Sequence, residues 1–232
     1  MEQYKQLTNT SLNTIVSKYL RDKILLGELK GGERIVESDI ADLLGISRAP
    51  VRESIQELAS QGLIKSIPRK GNFVVKFTMS DVAEIFDIRL LMENSVIEIL
   101  INEDKLTNYD ISRLKAIVDE MTVISKGEDE FANKMIMLNE KDVEFHSYLW
   151  QRSGSARRVK ILQDLHLQLR IAMVIDTKLT GNLDKTARDH YEIIKHLEQK
   201  DIENCVKAIR DHIISQEKPP LKRLTQKSEG YL

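Results

Sequence analysis

Apolar residues recur at helical spacing along most of the chain. Over residues 11–29, Leu12, Ile15, Val16, Tyr19, Leu20, Ile24 and Leu26 mark one face of an amphipathic helix that the Gly31-Gly32 pair is expected to close. Over 38–44, Ile40, Leu43 and Leu44 mark a second, short helix with Gly45 as its stop. Ser47 then reads as the N-cap of a third, whose apolar face is Val51, Ile55 and Leu58. After Gly62 the pattern shortens to two runs rich in Ile, Val and Phe, 63–67 and 73–77, with the basic turn Pro68-Arg69-Lys70-Gly71-Asn72 between them. Helical periodicity then returns in six segments, 80–102, 107–126, 129–151, 155–179, 183–199 and 201–217. The expected fold is mostly α: an N-terminal winged helix-turn-helix of three helices plus a β-hairpin wing over 1–77, followed by an all-α six-helix bundle over 78–218. Residues 219–232, with Pro219-Pro220 and mixed polar residues, are expected to form a disordered tail.

Two short helices at a tight turn place Arg48 and Arg52, four residues apart, on one exposed strip at the start of the second. There a recognition helix meets base edges and phosphates. Pro50 falls in the first turn, where its missing N–H costs no intrahelical bond. Solvated arginines on a plain helical hairpin would be the bland alternative, but turn, proline, arginine strip and basic hairpin occur together. The run ESDIADLLGISRAPVRESIQELASQGLI followed by PRKGNFV resembles the winged helix-turn-helix of GntR-family bacterial transcription regulators. It departs at Ser38, where many relatives carry an arginine. The resemblance implies binding to a palindromic double-stranded DNA operator through Ser47, Arg48, Pro50, Arg52, Arg69, Lys70 and Gly71.

Polar residues on faces that should be buried are the informative feature of the second domain, which holds all five histidines. In the segment from 129, the inward stripe Met135, Leu138, Asp142, Phe145/His146, Leu149 carries a carboxylate and an imidazole one turn apart. His190 shares a face with Ala187, Ile194 and Leu197, and His212 with Ile202, Cys205, Ile209 and Ile213. His196 falls about 120° from His190 and is expected in solvent, while His166 is borderline. Asp142, His146, His190 and His212 form a mixed N/O set suited to a divalent transition metal, zinc first, with nickel or manganese as alternatives. Asp-x-x-x-His, a histidine 44 residues later and another 22 beyond resembles the FCD ligand-binding domain of the FadR branch of GntR regulators. The resemblance implies that this metal holds a small carboxylate effector. On the segment from 80, Arg89 and Glu93 together interrupt an apolar stripe. They read either as an internal ion pair or, for Arg89, as an effector contact, and Arg170 is a second effector-binding candidate.

Composition narrows the class. A hydrophobic content of 41% is distributed periodically, without a run long enough to span a membrane. The lone Cys205 has no internal disulfide partner, and no segment reads as a secretory signal, so a cytoplasmic protein is expected. The net charge of −1 conceals an asymmetry: residues 1–76 hold 12 Lys+Arg against 9 Asp+Glu, leaving 23 against 27 for the rest. Attraction for DNA therefore belongs to the N-terminal third. One such head covers few base pairs, so a homodimer is expected. The reading is a DNA-binding transcription regulator, with repressor the expected sign from family habit, and not an enzyme. The rival is a metal-dependent enzyme acting on small carboxylates.

Overall fold

The computed structural model describes residues 11–180 and 182–214, apart from the side chains of His166 and of residues 175–180. The expectations for His166 and for the 219–232 tail lie outside them. The chain forms two compact units, one ending at Thr78 and the other beginning at Met79.

The first unit contains α1 (Leu12–Leu26), β1 (Arg34–Ile35), α2 (Glu37–Leu44), α3 (Arg48–Ser60), β2 (Ile64–Ile67) and β3 (Gly71–Val74). Val16, Leu20 and Ile24 of α1 are buried with Val51, Ile55 and Leu58 of α3, and the two helices pack together. Removing such a side chain from water contributes about 1.5–3 kcal/mol each. Helix α1 ends earlier than its periodicity suggests, because Gly27 adopts the left-handed conformation (φ 76°) and its N–H closes onto the Ile24 carbonyl. Gly32 instead donates its N–H to Val74, beside the sheet. Gly45 stops α2 in the same left-handed way (φ 67°). The apolar face of α2 is only partly covered: Ala41 is buried, whereas Leu43 is half exposed.

The wing is a three-stranded antiparallel sheet in the order β1-β3-β2. Its third strand, β1, is two residues long, too short to leave a periodic signal. The hairpin tip is also tighter than expected. Ile67 pairs with Gly71 and Ser66 with Asn72, so those two residues belong to β3, and the turn is Pro68-Arg69-Lys70 closed by the Lys70 N–H onto Ile67.

The second unit is a bundle of α4 (Met79–Asn102), α5 (Asn108–Lys126), α6 (Phe131–Arg152), α7 (Ala156–Thr180), α8 (Leu183–Glu198) and α9 (Ile202–Ile213). Helix α5 packs on α6 and α8, α4 on α7 and α9, and α8 on α9. The inward stripe of α6 is buried as its spacing requires, from Met135 and Leu138 to Phe145 and Leu149. Asp142 and His146 lie in the same stripe and are equally buried.

Candidate functional site

Helix α6 puts Asp142 and His146 on adjacent turns of its buried face, and α8 and α9 bring His190 and His212 to the same point. One ligand atom from each of the four lies within 4.8 Å of the others. Asp142 Oδ1 is 3.0 Å from His212 Nε2 and 3.2 Å from His190 Nε2, and Oδ2 is 4.0 Å from His146 Nε2. The imidazoles crowd one another: His146 and His212 stack with centroids 5.2 Å apart, and His190 meets His212 edge-on at 4.2 Å.

The outer nitrogens define the tautomers. His146 Nδ1–H donates to Glu93 Oε2 at 2.5 Å, and His190 Nδ1–H donates to the Thr186 carbonyl at 2.8 Å. Each Nε2 is thereby turned inward, and those of His146 and His190 are buried without a hydrogen-bond partner. Two orphaned buried acceptors beside a carboxylate are costly, about 1–3 kcal/mol each, unless a cation meets them. Three imidazole nitrogens and one carboxylate are the donor set of a borderline transition metal. The residues present fit such an ion.

Electrostatics favour the same protonation. Burial alone would raise the Asp142 carboxyl, but the Arg89 guanidinium, with the hydrogen bond from His212 Nε2–H, holds it well below the usual carboxylate range. Burial pushes His146 down, and it carries His212 down to about 3 with the help of nearby His190. The candidate ligands thus include an ionised carboxylate, with the His146 and His212 imidazoles disfavoured as cations.

Arg89 and Glu93 form the internal ion pair, Nε to Oε1 at 2.7 Å, and Arg89 Nη2 also reaches Asp142 Oδ2 at 3.2 Å. Both are fully buried. Arg170 is buried too, with Nε on Asn139 Oδ1 at 3.3 Å and Nη2 on Glu140 at 3.1 Å. Asn139 stands one turn before Asp142 on the buried face of α6, a placement that helical spacing contains. His196, expected in solvent, is only 17% exposed, because α9 lines the same groove with Asn204, Lys207 and Asp211.

On the reading head, Ser47 occupies the N-cap position of α3 but makes no side-chain cap bond. Arg48 is exposed and Pro50 sits half-buried in the first turn. Arg52 is 61% exposed yet not free: its Nη2 and Nε lie 2.9 and 3.1 Å from Glu37 Oε2. At the wing tip, Arg69 takes a left-handed conformation (φ 63°) and is exposed beside Lys70. Gly71 has φ 108°, and a β-carbon there would sit 3.1 Å from Arg34 Nε. Arg34 thus adds a cation beside the wing tip through β1, whose pairing no sequence period announces.

Residues 12–74 match the family described as bacterial regulatory proteins, gntR family, and residues 84–215 match the FCD domain. The gluconate operon transcriptional repressor of Bacillus subtilis (strain 168) is 32% identical over 185 residues, 77% of this chain and 75% of that protein. A probable D-xylose utilization operon transcriptional repressor of Paenarthrobacter nicotinovorans is 25% identical over 211 residues, 90% of this chain and 88% of its own. The solved structure of E. coli McbR/YncC shares the fold, with a TM-score of 0.69, 22% identity and coverage of 95% of this chain and 100% of that one.

Proposed function

Since the chain belongs to the GntR family of bacterial regulatory proteins with an FCD domain, we propose that it is a metal-dependent, effector-controlled repressor acting as a homodimer. It is a DNA-binding transcription regulator rather than an enzyme, as its relatives are. No helix among the described residues is long and apolar enough to cross a membrane, in keeping with a cytoplasmic site of action.

The observation that carries the metal reading is the pair of buried, inward-turned and unpartnered imidazole nitrogens of His146 and His190 beside Asp142. Asp142, His146, His190 and His212 would hold a divalent transition metal, with zinc the first choice and nickel or manganese behind it. When bound, such an ion supplies positive charge and open coordination positions for a small carboxylate. Asp142 and Glu93 against Arg89 leave the buried cluster one negative charge in excess, so an anionic effector is repelled until a divalent cation reverses the balance. Arg89 reaches such an anion only by sharing its guanidinium with the two carboxylates, and Arg170 by sharing with Asn139 and Glu140.

On the DNA side, Ser47, Arg48, Pro50 and Arg52 open α3 toward the major groove, and Arg69, Lys70 and Gly71 of the wing, joined by Arg34, face phosphates. Effector binding alters operator affinity only as far as the effector distinguishes two states of the dimer, with couplings typically about 1–3 kcal/mol.

The test is operator titration by fluorescence anisotropy with a panel of small carboxylates, gluconate among them because a relative governs a gluconate operon. Wild type should contain metal by elemental analysis and shift operator affinity by about 5–150-fold with one of the acids. Asp142→Ala and His190→Ala should lose both metal and response while still binding operator. Metal retained in both variants, or a response that persists in them, sinks the assignment.

A further inference from the structure

We propose that Glu93 is a positioning residue of this centre, holding His146 in the tautomer that presents its Nε2 lone pair to the ion. The inference rests on the metal reading above and concerns a helix, α4, that supplies none of the four ligands.

Glu93 is 2% exposed, and its two carboxylate oxygens have separate duties. Oε1 accepts from Arg89 Nε at 2.7 Å, and Oε2 accepts from His146 Nδ1 at 2.5 Å. An ion pair that merely fixed the packing of α4 would need only the first. Arg89 then passes on to Asp142 Oδ2 at 3.2 Å, so the outer carboxylate is tied through one guanidinium to a second ligand on the helix that carries His146. Helix α4 thereby grips both ligands of α6, one through an anion and the other through a cation.

The chemical consequence follows from imidazole having two nitrogens. With Nδ1–H committed to Glu93, a neutral ring carries its lone pair on Nε2, the buried and unpartnered atom that faces the site. An anionic acceptor also makes the ring a more basic ligand than a neutral one does. His190 is oriented in the same sense by the Thr186 carbonyl, a weaker acceptor. Of these two histidines, His146 should therefore depend more on its outer partner.

The test is Glu93→Gln, which keeps the shape but offers one oxygen to two donors, His146 Nδ1–H and Arg89 Nε–H. Co²⁺ titration followed by visible d–d absorption should show about 10–100-fold weaker binding than wild type. Nitrogen-15 NMR of Zn²⁺-loaded wild type, which needs no variant to fold, should show His146 protonated at Nδ1 and metal-bound at Nε2. Co²⁺ affinity in E93Q equal to that of wild type overturns the proposal even if E93Q melts at a lower temperature. So does a wild-type His146 bound through Nδ1. If wild type takes up no Co²⁺ at all, the metal reading itself fails and this inference with it.

Discussion

Arg48 and Arg52 stand on one strip of α3, but they do not stand alike. Arg52 is held by Glu37, whereas Arg48 is exposed. The Glu37 carboxylate raises Arg52 further above its ordinary value, through the hydrogen bond first and the charge second, so the cation is permanent and its direction is preset. Arg48 is therefore the cleaner probe of base and phosphate contact. Arg48→Ala should weaken operator binding by about 1–3 kcal/mol, roughly 5–150-fold, with no change in melting temperature. Anisotropy titration and a thermal melt check both halves, and unchanged operator affinity would remove Arg48 from the reading strip. Cys205 shows the opposite kind of residue: burial pushes its thiol up to about 12, leaving it a small core hydrophobe with no reactive thiolate at neutral pH.

Among the elements, α5 begins on a capping box that also ties it to α6. Thr107 and Asp110 satisfy each other's backbone N–H groups, and the same Asp110 carboxylate accepts from Tyr148 at 2.6 Å and pairs with Arg152 at 3.0 Å. Burial alone would raise Asp110, but the Thr107 hydroxyl, Tyr148 and Arg152 hold it below its ordinary value, and Tyr148 is pushed up to about 12 by burial and by that carboxylate. Because the folded value is the lower one, acid protonates the unfolded chain first. The stabilisation is complete above the ordinary aspartate range near 3.8 and is lost as pH falls through the lower folded value. Asp110→Ala should cost about 1–3 kcal/mol at pH 7. The gap from wild type should narrow as pH falls below the ordinary aspartate value of 3.8 in urea unfolding series, and a gap that widens on acidification would show that the carboxylate is not the stabilising form.

At the scale of the whole molecule, the four candidate ligands all lie in the unit that begins at Met79, and the helix-turn-helix and wing lie in the unit that ends at Thr78. An ion that binds only folded protein stabilises what holds it, by about 2.7 kcal/mol at a hundred times its dissociation constant. Hydrogen exchange with and without Zn²⁺ should therefore show added protection within 79–214 and none within 11–78. Protection gained equally in both would mean that the metal reports on one cooperative molecule rather than on a bundle with its own stability.

Periodicity determined much of this protein by itself. The helix spans, the change to a β-hairpin after Gly62 and the burial of Asp142 with His146 are all consequences of local spacing, because residues three and four apart share a helical face whatever the helix later packs against. Glycine at a left-handed position is local too, and Gly27 was a legible stop for α1 that the more conspicuous Gly31-Gly32 pair overshadowed. What only the tertiary structure decided are the pairings between elements. Glu93 meets His146 as well as Arg89, Arg89 reaches Asp142, Arg52 turns to Glu37, and β1 brings Arg34 beside Gly71. Each depends on distances across helix or strand packing, which sequence spacing does not encode. His196 went from expected solvent to a half-buried groove for the same reason: α9, not the wheel of α8, covers it.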